Sequence, residues 1–324
     1  MSVELISYGA FFLTMALTYA IICLGLNVQW GQTGLFNVGI AGFVAIGAYV
    51  SALLTTPDTA GRIGGFGLPI VVGWVGGAVI TSIVSFLIGA LTIRLRADYL
   101  AIATFGVAVV VQLCALNLEA LTGGPFGIGF IPRPFAELAA TPLLFSLANF
   151  AVVALLVIAL YFVLERLARS PWGRVLRAIR EDEPAALALG KSAIGFRLQA
   201  FAIGGGIMGL AGAVQAHFIG FIAPDNYVPM LTFQVWAMLI VGGSGNNRGA
   251  ILGAVLVWAI WAGSAGAAAL QIVMIGVALC AILLLRPRGI LGEQSVVSRH
   301  LGKLRRGVAA PAQTEEKTEN AANT

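Results

Sequence analysis

Residues 166–197 read RLARSPWGRVLRAIREDEPAALALGKSAIGFR, and they are the place where this chain stops being apolar. Long apolar runs flank them on both sides. The whole chain is 59% hydrophobic and 10% charged, with a mean hydropathy of +0.94, whereas a soluble domain carries about 25% charged residues. Apolar stretches recur at about the 20 residues that a helix needs to cross the hydrocarbon core of a bilayer. A transmembrane barrel would show short alternating segments instead. The reading is an all-α polytopic membrane protein, with the charged segment held as a loop between two spans.

About nine spans fit, near 5–28, 33–54, 68–93, 98–118, 143–164, 197–219, 228–243, 249–264 and 266–285. Eight or ten are also compatible with the pattern, because the seventh is short and the last two are nearly continuous. The first apolar run has no basic residues before it and is longer than a signal-peptide core, so it reads as a retained span. If loop 166–197 is cytoplasmic, the loops at 94–96, 244–249 and 286–306 fall on the same side. That side, with the tail, then holds 17 of the 19 basic residues, and only Arg62 and Arg133 lie opposite. The bias of Lys and Arg toward the cytoplasm therefore predicts an outside N-terminus and an inside C-terminus. The expected organisation is a transmembrane domain over 1–292 and a polar cytoplasmic tail over 293–324, whose composition predicts disorder.

What the spans lack is also informative. No Asp, Glu, Lys or Arg falls in the interior of any proposed span, whereas ion-coupled carriers place ionisable groups in the bilayer. His217, near the outer end of the sixth span, reads as an interfacial hydrogen-bonding residue. Cys23, Cys114 and Cys280 have no metal-ligand or disulfide spacing and read as small buried hydrophobes. The net charge of +5 follows from basic loops and is no sign of nucleic-acid binding. The run Ala185-Ala186-Leu187-Ala188-Leu189-Gly190-Lys191-Ser192 ends like a phosphate-binding loop, but Ala185 stands where the first glycine belongs and no strand precedes it. Gly190 reads instead as a helix C-terminal residue. No cofactor or metal is expected on this chain.

Within the loop, Ser170-Pro171 predicts a helix start with Ser as N-cap and Pro at the first position. Val175, Leu176 and Ile179 then share one side, and Arg174, Arg177 and Arg180 lie elsewhere. Glu181-Asp182-Glu183-Pro184 breaks that helix and opens a second, with its acidic groups near the N-terminus. Such a segment can lie at the membrane surface and fill a groove on another protein. Small-xxx-small spacing at Gly73/Gly77, Gly205/Gly209 and Gly249/Gly253 predicts close helix packing in lipid.

Arg177-Ala178-Ile179-Arg180-Glu181-Asp182-Glu183-Pro184-Ala185-Ala186 resembles the coupling-loop signature of branched-chain amino-acid ABC importer permeases, in particular the LivM-like subunit. Further blocks agree in order: Gly31-Gln32-Thr33-Gly34-Leu35-Phe36-Asn37-Val38-Gly39, Leu95-Arg96-Ala97-Asp98-Tyr99, Leu121-Thr122-Gly123-Gly124-Pro125-Phe126-Gly127-Ile128, Val241-Gly242-Gly243-Ser244-Gly245 and Arg286-Pro287-Arg288-Gly289. Where the family often has a His just after the Asn-Val-Gly glycine, this chain has Ile40. The resemblance implies a permease that pairs with a homologous second permease, two cytoplasmic ATPase subunits and a periplasmic substrate-binding protein, within membrane lipid. It implies ATPase coupling through Arg174, Arg177, Arg180, Glu181, Asp182, Glu183, Pro184, Ala185 and Gly190.

Among the polar groups inside spans, Asn27, Asn37, Ser51, Thr81, Ser82, Ser85, Thr104, Gln112, Gln215 and Gln234, helix–helix hydrogen bonding is the common role. Asn37, Thr104 and Gln215 are the candidates for a translocation path. Thr122–Gly129 reads as a contact for the binding protein, a gate or a plain turn. The cargo of the same importer type could instead be urea, short amides or other small carboxylates. A self-contained channel or secondary carrier is the reading from another class, and the absence of intramembrane carboxylates weighs against it. A cysteine introduced at Ser192 is expected to react with a membrane-impermeant maleimide from the cytoplasmic face only. Labelling in intact spheroplasts would reverse the topology.

Overall fold

A computed structural model describes residues 2–58, 63–263, 273, 276–277, 280–281, 284 and 289–292. The predicted ninth span falls for the most part, and the tail entirely, outside the described residues. The helices in chain order are α1 (Ser2–Leu26), α2 (Ile40–Thr55), α3 (Ile70–Thr92), α4 (Ala97–Asn117), α5 (Glu119–Thr122), α6 (Pro142–Arg169), α7 (Pro171–Glu181), α8 (Glu183–Ala188), α9 (Ala193–Ile219), α10 (Pro229–Gly242) and α11 (Asn247–Gly263). Five are long and apolar enough to cross a membrane: α1 with its extension to Gly31, α3, α4, α6 and α9. Among the described residues there is no strand, only one isolated antiparallel bridge between Ile128 and Ile222.

The long helices divide by burial. The span windows of α9 and α1 are 78% and 67% buried, whereas those of α3, α4 and α6 are 17–22% buried. The first two form the centre, and the other three turn most of their side chains outward, where lipid solvates them. Composition explains the division. On α9, Gly204, Gly205, Gly206, Gly209 and Gly212 are all buried. A Cβ on Gly212 would overlap the Val44 carbonyl of α2, and one on Gly47 of α2 would overlap Gly209. On Gly25 of α1, a Cβ would stand 2.7 Å from the Gly204 carbonyl oxygen. Backbone-to-backbone approach of this kind is available only to glycine, and in lipid close packing replaces the hydrophobic drive.

Most predicted spans coincide with helices to within a few residues, but two differ. The first continues past residue 28 through a π-helical turn, Asn27–Gly31, in which the Gln32 amide donates to the Asn27 carbonyl. The second does not begin at 33. Residues 34–39 are non-helical, and α2 starts at Ile40 with 16 residues, twelve of them buried. At 1.5 Å per residue that is about 24 Å, short of the hydrocarbon thickness. An apolar composition had concealed the break, because Leu35, Phe36 and Val38 look like span residues.

The cysteine reading needs correction as well. Cys23 is buried, but Cys114 and Cys280 are exposed and face outward. His217, two residues from the end of α9, is fully buried against α2 and α3. Thr55 Oγ1 lies 3.0 Å from its Nε2, and the Trp74 indole donates to Nδ1 at 3.2 Å.

Gly212→Leu is expected to overpack the α2–α9 seam and destabilise the fold by about 1–3 kcal/mol or more. A thermal melt of the purified chain in detergent reads this, with Gly106→Leu, where no atom lies within 4 Å, as a control expected to change nothing.

Candidate functional site

The charged segment folds as two short helices, α7 and α8, standing at one end of the bundle. Ser170 occupies the N-cap and Pro171 the first position of α7, but the Ser170 hydroxyl donates back to the Leu167 carbonyl at 2.7 Å and does not cap the helix. Asp182 separates the helices in extended conformation and caps α8, its Oδ1 accepting from the Ala185 amide at 3.0 Å. Gly190 closes α8 at φ +74°. The Gly190 amide reaches the Leu187 carbonyl at 2.9 Å and the Lys191 amide reaches Ala186 at 3.2 Å, the paired bonds of a Schellman motif. Ser192 then caps α9, accepting from the Gly195 amide at 3.3 Å. The Gly-Lys-Ser ending is thus spent on a helix-to-helix turn.

One side of this pair is the mount. Leu176 and Ile179 of α7 are buried, and Ile179 packs with Ala186 of α8 and Ala193 of α9 in a small cluster. A Cβ on Gly173 would overlap the Ala168 carbonyl, so glycine permits the tight α6–α7 corner. Arg177 donates to the Ala168 carbonyl at 3.0 Å, satisfying an end group of α6 where a cation is favourable. Trp172 Nε1 donates to Gln199 at 2.8 Å, and Glu183 pairs with Arg197 at 2.9 Å. Arg180 donates to the Gly31 carbonyl.

The other side is what the pair presents. Arg174, Ala178, Glu181, Asp182, Pro184, Ala185 and Ala188 are exposed, and so are Leu187 and Leu189, at 52% and 78%. The presented surface is therefore a short apolar knob flanked by charge. The sequence reading located the pair but not its orientation, and it missed Leu187 and Leu189, whose small apolar run looked like ordinary helix filling.

Asn37 and Thr104 come together inside the bundle, around the non-helical segment 34–39. Asn37 Nδ2 donates to Gln29 Oε1 at 2.7 Å, its Oδ1 accepts from the Gly39 amide at 2.7 Å, and its carbonyl accepts from the Trp236 indole at 3.0 Å. Thr104 Oγ1 accepts from the Val38 amide at 3.0 Å and donates to the Leu100 carbonyl at 2.9 Å. Both side chains are fully buried and hydrogen-bonded within the protein. Gln215 is not with them. It lies beside Tyr19, about 21 Å further along α9 than Phe201, and its Oε1 has no partner among the described residues.

Sequence reasoning also passed over Gln29, which fell in the supposed loop between the first two spans. Its Nε2 donates to the Phe201 carbonyl of α9 at 2.8 Å. Asn27 accepts from the Gly245 amide at 2.8 Å and donates to Asn247 at 2.9 Å, and Asn247 donates on to Glu165 at 3.1 Å. The clue to them was local: four polar side chains, Asn27, Gln29, Gln32 and Thr33, in a run too close to apolar neighbours to reach water.

At the opposite end, Thr122–Gly129 is a fixed loop. The Ile128 amide donates to the Ile222 carbonyl at 2.8 Å, and the Ile222 amide returns a bond at 3.0 Å. Phe126 stands exposed on it. Among the described residues no group of three His, Cys, Asp or Glu could hold a metal.

The fold and this presented helix pair define a multi-pass, all-α membrane protein. The model of the branched-chain amino acid transport system permease component matches residues 9–285, and the chain belongs to that family. It is 36% identical over 264 residues to the high-affinity branched-chain amino acid transport system permease protein LivM of Salmonella typhimurium, covering 75% of this chain and 60% of that one. It is 29% identical over 293 residues to the probable LivM of Methanocaldococcus jannaschii, covering 78% and 79%. It is 24% identical over 298 residues to LivH of Escherichia coli K12, covering 87% and 94%. No solved structure matches the chain significantly.

Gly190→Ala, which places a Cβ in the left-handed region, is expected to cost about 1–2 kcal/mol. Arg177→Ala is expected to lower the melting temperature too, because it uncaps α6. Thermal melts of the permease alone check both.

Proposed function

We propose that this chain is a transmembrane permease subunit of an ATP-driven importer for branched-chain or related hydrophobic amino acids. The carrying observation is the α7–α8 pair: buried on one side against three helices, apolar and exposed on the other, at the end of the bundle where the basic residues gather. In a member of this family, such a surface is suited to receive an ATPase. The energy source then lies on two cytoplasmic ATPase subunits, and this chain is itself no enzyme.

The similarity to both LivM and LivH supports pairing with a homologous second permease. The fixed loop at 122–129, with Phe126 exposed, is suited to a periplasmic substrate-binding protein. In this reading the basic end faces the cytoplasm of a bacterial inner membrane, the N-terminus is outside, and the permease domain over 1–292 leads into a cytoplasmic tail. The docking contacts come from Arg174, Glu181, Asp182, Pro184, Ala185, Leu187 and Leu189. Arg177, Glu183 and Gly190 shape the pair that presents them.

Two measurements test this. The complete complex, reconstituted in vesicles with a panel of branched-chain amino acids, urea and short amides, is expected to show ATP-dependent uptake of the amino acids. Uptake by this chain alone would overturn the reading in favour of a channel or carrier. Leu187→Asp with Leu189→Asp is expected to abolish co-purification of the ATPases while leaving the melting temperature of the permease unchanged, since both side chains are exposed. Retained co-purification would overturn the docking assignment.

A further inference from the structure

Arg174, Arg177 and Arg180 look equivalent in sequence, three cations spaced along one short helix. The structure separates them. Arg174 is exposed. Arg177 returns to the end of α6, the helix just before its own. Arg180 reaches across 149 residues of sequence to the Gly31 carbonyl, with its side chain 22% exposed.

The acceptor is as particular as the donor. Where α1 ends in its π-helical turn, the Trp30 carbonyl accepts from the Gly34 amide at 2.8 Å and the Gln29 carbonyl from the Leu35 amide at 3.0 Å. The Gly31 carbonyl receives no backbone amide among the described residues, because the chain turns away at Gly34, φ +72°. An unsatisfied carbonyl at a helix C-terminus carries partial negative charge, and a guanidinium completes it well. Glycine is required at both neighbouring places. A Cβ on Gly31 would overlap the Asn27 side chain, and one on Gly34 would stand 3.1 Å from Cγ of Arg180.

The turn that Arg180 grips is connected to several other elements of the bundle. Asn27 holds the Gly245 loop and, through Asn247, reaches Glu165 of α6. Gln29 holds α9 and Asn37. Asn37 in turn holds Trp236 of α10. The side-chain bonds of Trp172, Arg174 and Arg177 end on the adjacent helices α6 and α9 and keep α7 in its seat. π-helical turns inside long helices are frequent at functional sites.

We propose that Arg180 is a positioning residue for transport: it transmits displacement of α7 to the discontinuous turn at 27–39, and it is not a docking contact. This rests on the reading of α7–α8 as the ATPase-receiving element. The turn then shifts as a unit, because side-chain and backbone bonds tie it to α4, α9, α10 and α11, and the interior of the bundle responds to an event at its surface.

The test uses the complete complex in vesicles, comparing wild type, Arg180→Gln and Arg180→Lys. Four quantities are read: ATPase co-purification, ATP hydrolysis, cargo moved per ATP, and melting temperature. Arg180→Gln is expected to keep co-purification and hydrolysis while cargo per ATP falls about tenfold, the scale of one hydrogen bond to a charged group. Arg180→Lys, which keeps the cation, is expected to recover part of that loss. Loss of co-purification in Arg180→Gln would make Arg180 a docking residue and overturn the proposal. Unchanged cargo per ATP would overturn it as well, as would a parallel fall of all four quantities, which marks a merely structural contact. A wild-type chain that recruits no ATPase fails differently, since it removes the docking reading before any variant is compared.

Discussion

The side-chain amide of Gln29 holds together the place where the structure is most exposed to failure. A helix that gives up its regular pattern inside a membrane frees amides and carbonyls where water cannot reach them. Here residues 27–39 interrupt the regular helix inside the bundle, and side chains meet several of the freed groups. Gln29 donates to the Phe201 carbonyl and accepts from Asn37. Thr104 takes the Val38 amide, and Thr232 takes the Ala41 amide at 3.1 Å. Trp236 takes the Asn37 carbonyl and Arg180 the Gly31 carbonyl. A buried polar network is stabilising only when its members are satisfied, and these partners come from α4, α7, α9 and α10. The break is thus tolerated only in the assembled bundle, and it links helices that share few direct contacts.

Glycine makes this network reachable. Polar side chains as short as Asn, Ser and Thr bridge helices only when the backbones lie close. The α2, α3 and α9 seams achieve this with Gly47, Gly77, Gly209 and Gly212, each facing backbone or a small side chain. The same closeness lets Ser85 reach the Phe201 carbonyl at 2.8 Å, beside the bond from Gln29, so that one carbonyl serves two helices. Around the turn, Trp30, Phe36 and Trp236 pack with ring centroids 4.7–5.4 Å apart, excluding water from the polar bonds.

Much of this was legible before any coordinates. Long apolar runs mark their own helices because the membrane leaves few alternatives, and α3, α4, α6 and α9 lie within a few residues of their predicted bounds. The break at Asp182 and the closure at Gly190 were legible for a local reason: proline, an acidic cap and a glycine act through their own backbones. What misled was composition acting alone. Leu35, Phe36 and Val38 are apolar yet non-helical, and Gln29 is polar yet deep in the bundle. The sequence grouped Arg180 with Arg174, although one faces the turn and the other faces out.

The sequence by itself determined that this chain is a multi-pass helical membrane protein, that its basic residues gather in a few loops and the tail, and that a two-helix charged element interrupts the spans. Those properties depend on neighbours a few residues away or on the sum over a span. Only the tertiary structure decided which polar groups meet. Val38 and Thr104 are 66 residues apart, and Asn27 and Asn247 are 220 apart. Which of the many buried amides and hydroxyls pair is set by how helices cross, and by where glycine lets them approach, which no local pattern encodes.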